Sequence, residues 1–367
     1  MSPARRDLHV VILAGGAGER FWPASRVKTP KPLLRVAGGE SLLAATVARA
    51  RRLAADGNVW LVCGAEHADA MRRAAGLPKT RVIVEPARRN TAMAVAVGAL
   101  AVAAADPEAV MAVFPADHRI GDPRGFEAAV RRAARAAGRE GVLVTLGVRP
   151  TRPETGYGYI GIGPEVGKPH PGLHRVRRFV EKPDQARARR YLRSGGFLWN
   201  AGIFVWTARA VLEEIATHAP ALDAALAPLR AELDRSRSGR APSVGALARA
   251  YRRAPSLPID VAVLERSRRV WCVPVTFPWS DVGTWQSLAE ELGVNPKGTA
   301  VVEGEVVLCD APGNLVWGQR RPIALLGVEG LAVIDAGDAL LVARLDRSGD
   351  VRRVVGELRA RGRHDLV

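Results

Sequence analysis

The chain has 367 residues, 48% of them hydrophobic, which suits one large α/β domain and a smaller one. No apolar run reaches the roughly 20 residues of a membrane span, and the apolar stretch 10–14 stops at Gly15, so we expect neither a membrane anchor nor a signal peptide. The scattered Cys63, Cys272 and Cys309 argue against a disulfide framework and a zinc site, and they favour a reducing, cytoplasmic compartment.

The net charge of +17 raises the question of nucleic-acid binding. The arginines are spread along the whole chain, aromatic residues make up 5%, and no aromatic is interleaved with a basic cluster as base stacking requires. We therefore expect neither nucleic acid nor a membrane as a partner, whereas a basic field attracts small anionic substrates. The oligomeric state is left open, with a homodimer as one option.

The first 150 residues alternate between short β-rich runs and Ala- and Arg-rich helical patterns. Predicted strands are His9–Leu13, Val59–Val62, Arg81–Val84, Val110–Phe114 and Val142–Leu146, and predicted helices lie at about 41–55, 66–75, 91–105 and 124–137. This alternation predicts an α/β fold with a Rossmann-like, mostly parallel sheet flanked by helices. Ligands of such sheets bind beyond the carboxyl ends of the strands.

The rest of the chain changes character twice. Between about 151 and 293 the pattern is irregular, with a helical stretch at about 208–253, as expected of an insertion that builds a substrate pocket. From 294, short Val- and Leu-rich runs at 301–308, 314–317, 322–327, 331–334 and 339–343 are separated by Gly-containing turns, and a helix at about 349–360 follows. We predict a large domain over 1–293 and a small β-rich C-terminal domain over 294–367.

The first predicted strand leads into a glycine-rich loop at 15–18. Such glycines let backbone N–H groups approach phosphates, although a tight first turn also serves packing alone. Phe21 stands where GxGxxG needs its third glycine, and GxxxxGK[ST] is absent, so a dinucleotide loop and a Walker loop are both excluded. Prolines then fix the path of a loop that offers Arg20 and Lys31, two cations suited to a triphosphate.

Seven motifs together resemble those of the sugar nucleotidyltransferases, and several resemble the mannose 1-phosphate guanylyltransferase branch of that family. They occur in the family's order over about 13–285. They are Leu13-Ala14-Gly15-Gly16 with Gly18, Arg20, Pro23 and Pro30-Lys31-Pro32-Leu33; Glu85-Pro86 with Arg89-Asn90-Thr91; Phe114-Pro115-Ala116-Asp117-His118; Thr155-Gly156-Tyr157-Gly158-Tyr159-Ile160; Phe179-Val180-Glu181-Lys182-Pro183; Trp199-Asn200-Ala201-Gly202; and Trp279-Ser280-Asp281-Val282-Gly283.

The resemblance implies a nucleotidyltransferase catalytic domain over 1–293 and an enzyme that transfers GMP from GTP to α-D-mannose 1-phosphate with Mg²⁺, giving GDP-mannose and pyrophosphate. It implies that Asp117 and Asp281 hold the metal, since Mg²⁺ prefers oxygen ligands. It implies that Arg20 grips the β- and γ-phosphates and that Lys31 stabilises the departing charge. Taken alone, Asp117 fits the N-cap of a helix equally well.

Binding roles follow from the same resemblance. The predicted sugar-phosphate site comprises Gly158, Glu181, Lys182 and Asn200, with an exposed Glu181-Lys182 pair as the plain alternative. Asn90 either caps a helix or contacts the nucleotide, Trp199 packs, and His118 has a supporting role. The predicted nucleotide site comprises Leu13, Ala14, Gly15, Gly16, Gly18, Glu85, Asn90, Thr91 and Pro115.

Two departures from the family pattern flank the expected base site. Arg88 stands where a glycine is usual, and Met93 stands near a usual proline. A pyrophosphorylase of the same fold with another base or sugar is therefore the first alternative. The second is a regulatory subunit that binds a sugar nucleotide without turnover, although such subunits tend to lose the metal and phosphate residues that this chain retains.

Overall fold

The structure, a computed structural model, describes residues 8–16, 18–36, 39–236, 241–295, 298–318 and 320–367. Ala17 of the glycine-rich loop lies outside the described residues. Among those described, no helix is both long enough and apolar enough to cross a bilayer.

The strands fall into a central set and a C-terminal set. The central strands are β1 (Leu8–Ala14), β2 (Val59–Gly64), β3 (Val82–Glu85), β4 (Val110–Pro115), β5 (Arg119–Ile120), β6 (Leu143–Val148), β7 (Tyr159–Glu165), β8 (His174–Val180), β9 (Phe197–Thr207), β10 (Val270–Val275) and β11 (Trp279–Ser280). The C-terminal strands are β12 (Ala300–Glu303), β13 (Val306–Cys309), β14 (Leu315–Gly318), β15 (Ile323–Leu326), β16 (Leu331–Asp335) and β17 (Leu340–Arg344).

The helices lie mainly before and between these strands. They are α1 (Leu42–Leu53), α2 (Ala68–Ala75), α3 (Asn90–Ala103), α4 (Pro123–Glu140), α5 (Gln185–Ser194), α6 (Ala208–His218), α7 (Pro220–Ala225), α8 (Ala227–Ser236), α9 (Val244–Arg253), α10 (Trp285–Glu291) and α11 (Val351–Ala360), with a π-helical turn at Asp260–Leu264. The predicted helical stretch 208–253 is thus four consecutive helices, α6 to α9.

The central sheet has nine strands in the order β3-β2-β1-β4-β9-β6-β10-β8-β7. The neighbours β3, β2, β1 and β4 pair in parallel, as do β6 and β10, whereas β9 and β8 run antiparallel to their neighbours. The predicted α/β fold with a mostly parallel sheet is therefore confirmed. Its five early strands are β1, β2, β3, β4 and β6, each within a residue or two of the predicted bounds.

The chain divides into two compact units that are not consecutive in sequence. The first, here called the sheet unit, comprises the described residues of 1–15, 46–116 and 120–279. The second, here called the C-terminal unit, comprises those of 16–45, 117–119 and 280–367. Gly16 and Gly18 of the glycine-rich loop, with residues 117–119, therefore cluster with the C-terminal strands, and the predicted boundary at 293/294 stays a prediction.

The C-terminal strands alternate between two small sheets, β12-β14-β16-β17 and β13-β15, and all pairs except β16–β17 are parallel. This arrangement is typical of a parallel β-helix. The Val- and Leu-rich run 301–308 divides into two strands, because the chain turns at Gly304 between β12 and β13. Gly304 has φ +102°, and a Cβ there would lie 2.1 Å from the carbonyl oxygen of Gly318.

Helix α3 is the centre of the sheet unit. Nearly all its side chains are apolar, and residues 92–102 are buried, as expected of a helix that is hydrophobic on every face. It contacts β1 and α6. At Gly98 the helix lies so close to β1 that a Cβ would come within 2.8 Å of Val11 Cγ1.

This close approach predicts opposite effects for two Gly→Ala substitutions in helices. Gly98→Ala should lower the free energy of unfolding by about 1–2 kcal/mol, because overpacking a rigid core outweighs the gain in helix propensity. Gly356→Ala in α11, where nothing lies within 4 Å of the new Cβ, should raise it by roughly 0.5–1 kcal/mol. Urea unfolding of both variants checks this; a stabilised Gly98→Ala protein would contradict the packing argument.

Candidate functional site

A cavity of about 330 Å³ in the C-terminal unit contains the predicted phosphate and metal residues. Three separate segments of the chain meet there, so the structure brings Arg20, Lys31, Asp117 and Asp281 together as predicted neighbours. The lining residues are Gly18, Glu19, Arg20, Phe21, Lys31, Asp117, His118, Asp281, Gly283 and Arg352. A larger cavity of about 1410 Å³ in the same unit is lined by none of the predicted site residues.

Lys31 is the buried cation of this cavity. It is only 6% exposed. Its Nζ donates to Asp117 Oδ2 at 2.7 Å and to the backbone oxygen of Asp281 at 2.7 Å, and it lies 5.5 Å from the centre of the Phe21 ring. These contacts fix the ammonium against both acidic segments, because an unpaired buried charge is costly.

Gly18 allows the loop to pass over Lys31. Its φ is +66°, and a Cβ there would lie 2.5 Å from Lys31 Cβ and 2.6 Å from Ser25 Oγ. Only glycine satisfies both the left-handed backbone and this close approach. The turn Glu19–Phe21 that follows carries Arg20 to the cavity.

Asp117 follows β4 and is half-buried. Burial alone would raise the pKa of its carboxyl, but the charges of Lys31 and His118 and the Lys31 hydrogen bond hold that pKa below its usual value. Asp117 is therefore an anion at neutral pH. The alternative that Asp117 caps a helix is wrong, because Asp122 caps α4 by accepting from the Arg124 and Gly125 backbone N–H groups.

Asp281 lies in a strained turn. Val282 has φ +45°, which is unfavourable for a β-branched residue, and it is fully buried, so packing holds the turn. Asp281 Oδ1 accepts from the Gly283 N–H at 2.9 Å, and a Cβ on Gly283 would lie 2.5 Å from Asp281 Oδ2. The turn therefore fixes the orientation of the Asp281 carboxylate, and the backbone oxygen of Asp281 accepts a hydrogen bond from Lys31.

The donor set of Asp117 and Asp281 fits Mg²⁺. Both are carboxylates that line one cavity, and Mg²⁺ is commonly bound by one or two carboxylates plus substrate phosphates and waters. Within the described ranges, no cluster of three or more His, Cys, Asp or Glu side chains is arranged to hold a metal by itself. A metal here would therefore take its remaining ligands from substrate and water.

The predicted nucleotide residues of the sheet unit lie at the carboxyl ends of β1, β3 and β4. The parallel register places Leu13 beside Pro115. Glu85 ends β3 and is 8% exposed; its Oε1 accepts from the Tyr251 hydroxyl at 2.8 Å. A Cβ on Gly15 would be 3.3 Å from Glu85 Oε2, so the second oxygen points toward the glycine-rich loop. Ala14 precedes that loop, and Gly16, at the start of the C-terminal unit, has nothing within 4 Å of a Cβ position.

Burial raises the pKa of Glu85, while the Tyr251 hydrogen bond and the Arg88 charge lower it, and burial dominates. Tyr251 was not found by sequence reasoning. No local signal marks it, because it reaches Glu85 from helix α9, 166 positions away.

Asn90 and Thr91 begin α3 and are both engaged within the protein. Asn90 has φ +62°, and its Oδ1 accepts from the Thr91 N–H at 2.8 Å. The Thr91 hydroxyl accepts from the Ile259 N–H at 2.9 Å. This contact joins adjacent residues, and α3 begins without a side-chain cap, so capping by Asn90 is not observed. Nucleotide contact by either residue stays a prediction.

The predicted sugar-phosphate residues also cluster in the sheet unit. Glu181 Oε1 pairs with Lys182 Nζ at 2.8 Å, and the Lys182 side chain is 59% exposed, so this pair is a surface ion pair in the structure. A Cβ on Gly158 would lie 2.7 Å from Glu181 Oε2 and 3.3 Å from Asn200 Cβ. Gly158, Glu181 and Asn200 are therefore neighbours, as expected of one binding surface. Trp199 is 5% exposed and packs against Tyr157, which fits the predicted packing role.

Asn200 is oriented by three hydrogen bonds. Its Oδ1 accepts from the Thr145 hydroxyl at 3.0 Å and the Gly202 N–H at 3.1 Å, and its Nδ2 donates to Asp260 Oδ1 at 2.9 Å. Both acceptor positions are used, so these contacts leave one Nδ2 hydrogen for a ligand. A flipped amide would turn its N–H groups toward the Gly202 N–H and lose that hydrogen bond.

Asp260, which the sequence reasoning missed, holds this amide from the π-helical turn. Burial and the nearby Glu181 charge raise the pKa of Asp260 to about 7. A sequence signal existed: Asp260 is the single acid in the apolar run 257–264. Buried acids of this kind are rare unless they have a partner. Arg352 of α11, also missed, lines the phosphate cavity and carries no such signal.

Comparison with known protein families matches two models to the chain. Residues 9–293 match the family described as Nucleotidyl transferase. Residues 304–358 match the MannoseP isomerase/GMP-like beta-helix domain, which agrees with the alternating C-terminal sheets. The first match covers both the sheet unit and the segments that carry Arg20, Lys31, Asp117 and Asp281.

Curated relatives are similar over nearly the whole chain. The alginate biosynthesis protein AlgA of Pseudomonas aeruginosa is 38% identical over 362 residues, covering 97% of this chain and 73% of that protein. The mannose-1-phosphate guanylyltransferase of Escherichia coli K12 is 36% identical over 373 residues, covering 99% and 76%. A solved structure described as mannose-1-phosphate geranyltransferase from Thermus thermophilus is 37% identical, with a TM-score of 0.83 and coverage of 96% and 99%.

The raised pKa of Asp260 predicts a pH-dependent stability. The folded state retains the Asp260 proton up to about pH 7, whereas the unfolded chain releases it near pH 4. Stabilisation by the neutral acid is therefore present below about pH 4 and is lost as pH rises to about 7. Relative to Asp260→Asn, the native chain should lose up to about 1 kcal/mol of unfolding free energy per pH unit in that window.

Urea unfolding at several pH values compares the native chain with Asp260→Asn. Asp346→Asn is the matched control, because Asp346 is an exposed acid whose pKa is lowered by Arg344, so its titration ends below this window. The control should run parallel to the native chain. Parallel profiles for Asp260→Asn as well would show that Asp260 is already ionised in the folded protein.

Proposed function

The chain belongs to the nucleotidyl transferase family, and on that premise we propose that it is an enzyme that transfers GMP from GTP to α-D-mannose 1-phosphate, giving GDP-mannose and pyrophosphate. The observation that carries the proposal is the cavity that unites Arg20, Lys31, Asp117 and Asp281. The relative from E. coli named mannose-1-phosphate guanylyltransferase supports the choice of base and sugar.

The reaction joins two anions in a single displacement. A phosphate oxygen of the sugar 1-phosphate bonds to the α-phosphorus of GTP, the bond from that phosphorus to the bridging oxygen breaks, and pyrophosphate leaves with the electron pair. Catalysis of such a step consists of alignment and charge stabilisation, and no covalent nucleophile is required. Buried Lys31 and the neighbouring Arg20 are suited to neutralise the charge that develops on the leaving group.

Asp117 and Asp281 are the proposed ligands of Mg²⁺. Both carboxylates line the cavity, and the low pKa of Asp117 keeps it ionised at neutral pH. When bound, the ion supplies positive charge that screens the phosphates from one another. The Lys31 ammonium contacts both acidic segments, so it fixes the positions of the two residues proposed to bind the ion.

Glu85 is the residue proposed to recognise the guanine base by hydrogen bonding. Tyr251 occupies one carboxylate oxygen, and the other points toward Gly15. A carboxylate accepts from both the N1–H and the exocyclic amine of guanine, whereas adenine presents an acceptor at N1 and leaves the carboxylate unsatisfied. The backbone of 14–16 and the segment 85–91 complete the proposed base site.

On the sugar side, Glu181 and the free Nδ2 hydrogen of Asn200 are suited to bind mannose hydroxyls, and Lys182 is suited to bind the sugar phosphate. The absence of a side chain at Gly158 leaves Glu181 room. Lys182 is exposed and has φ +44°, a left-handed backbone conformation that non-glycine residues rarely adopt. We propose that it leaves Glu181 for the phosphate when the sugar binds.

We propose that the basic surface attracts small anions and that it binds neither nucleic acid nor a membrane. Many arginines are already paired within the chain, such as Arg209 with Glu108 and Arg26 with Asp338. We further propose a cytoplasmic location, where the free Cys63 and Cys272 stay reduced. A homodimer stays one option for the oligomeric state. Another base or sugar is the remaining alternative within the family. The retained cavity residues favour turnover over a purely regulatory role.

Asp281→Asn should lower kcat by about 100-fold or more while the melting temperature stays nearly unchanged, because the metal loses a charged ligand. Pyrophosphate release with GTP and mannose 1-phosphate, with and without excess Mg²⁺, measures this. Asp365→Asn, in an exposed pair with Arg363, is the matched control. Full activity of Asp281→Asn, or of the native enzyme in excess chelator, would remove the metal assignment.

Glu85→Gln should reduce the preference for GTP over ATP by about tenfold or more, because the amide replaces one acceptor with a donor facing guanine. Initial rates with the four nucleoside triphosphates, each with mannose 1-phosphate and glucose 1-phosphate, test this. Glu66→Gln, a side chain 61% exposed on the same unit, is the control. If the native chain uses ATP or UTP more efficiently than GTP, the guanine assignment is wrong and the reaction class remains.

A further inference from the structure

The phosphate cavity has a lining residue from the far end of the chain. Arg352 is the second residue of α11, in the region matched by the beta-helix model, and it lines the same cavity as Arg20 and Lys31. The family motifs from 13 to 285 do not include it. All of these residues belong to the C-terminal unit.

Helix α11 is fixed against the turn that carries Arg20. Val351 and Val355 are each 3% exposed and pack in one apolar cluster with Phe21. On the same helix, the Arg359 guanidinium pairs with Glu19 at 2.7 Å. Because Glu19 and Phe21 flank Arg20, these contacts hold both ends of α11 against the turn that carries Arg20.

The charges of the cavity leave a role for a second arginine. Lys31 is committed to Asp117 and to the Asp281 carbonyl, and Asp117 also attracts His118. Within the described part of the chain, the guanidinium groups of Arg20 and Arg352 form no hydrogen bond or ion pair. Pyrophosphate carries several negative charges, and one guanidinium group can donate two parallel hydrogen bonds to phosphate oxygens.

We propose that Arg352 binds the β- and γ-phosphates of the nucleoside triphosphate, and the pyrophosphate that leaves, together with Arg20. The C-terminal helix thereby supplies a substrate-binding residue to the transfer site. The inference rests on the proposed reaction class, and it is independent of which base or sugar is used.

The test compares Arg352→Ala with Arg353→Ala, its neighbour on the same helix. Arg353 is also exposed but does not line the cavity. Each variant therefore replaces one exposed arginine of α11 with alanine and loses one positive charge. Calorimetric titration with magnesium pyrophosphate measures binding without turnover. Arg352→Ala should bind it about tenfold more weakly, with a similar rise in the KM for GTP, as expected for loss of a charge-assisted contact.

Three further measurements separate this role from a structural one. The KM for mannose 1-phosphate and the affinity for GMP, which lacks the two outer phosphates, should change by less than about twofold in Arg352→Ala. Arg352→Lys should recover part of the pyrophosphate affinity, because charge is restored without the planar fork. Arg353→Ala should match the native chain throughout.

Equal pyrophosphate affinities in Arg352→Ala and Arg353→Ala would overturn the proposal, as would a native chain that does not bind magnesium pyrophosphate. An equal loss of GMP and pyrophosphate affinity in Arg352→Ala would also overturn it, since that pattern indicates a general distortion. Failure of the base and sugar assignment has a different signature: the native chain then prefers another triphosphate, and the Arg352 effect appears with that triphosphate instead.

Discussion

The Lys31 ammonium is buried, and the rest of the phosphate cavity is arranged around that fact. A buried charge needs a close counter-charge and further hydrogen bonds, and Lys31 obtains both from Asp117 and the Asp281 carbonyl. These partners lie 86 and 250 positions away, so one side chain ties three distant segments together. Gly18 is required because any Cβ there would collide with Lys31 itself. The local backbone and the charge network are thus parts of one constraint.

The sheet unit also contains buried ionisable side chains, which there are carboxyl groups. Glu85 and Asp260 are both nearly buried, and burial raises the pKa of each. Each is held by a neutral donor, the Tyr251 hydroxyl or the Asn200 amide, and neither is neutralised by a close cation. Perturbed acids of this kind are concentrated at functional sites. Here they fix the directions in which one carboxylate oxygen and one amide hydrogen face a ligand.

The C-terminal strands belong to the same compact unit as the residues proposed to bind phosphate. Residues 16–45, which carry Arg20 and Lys31, cluster with 280–367 and not with the strand that precedes them. The apolar cluster of that unit includes Phe21, Trp285, Trp317 and Val355. The packing of the β-helix and its final helix therefore supports the turn that carries Arg20, as the pair between Glu19 and Arg359 also indicates.

The sequence by itself determined the features that depend on residues close together along the chain. These are the early strands, the glycine-rich loop after β1, and the cations and carboxylates that belong to short motifs with glycine and proline. It did not establish the turn at Gly304, because the approach of the Gly318 carbonyl that requires a glycine there exists only in the folded chain. It also missed Tyr251, Asp260 and Arg352. Tyr251 and Asp260 hydrogen-bond to residues distant along the chain, and Arg352 lines a cavity with such residues. The tertiary structure alone decided those encounters, because burial and charge pairing are set by what the folded chain brings into contact.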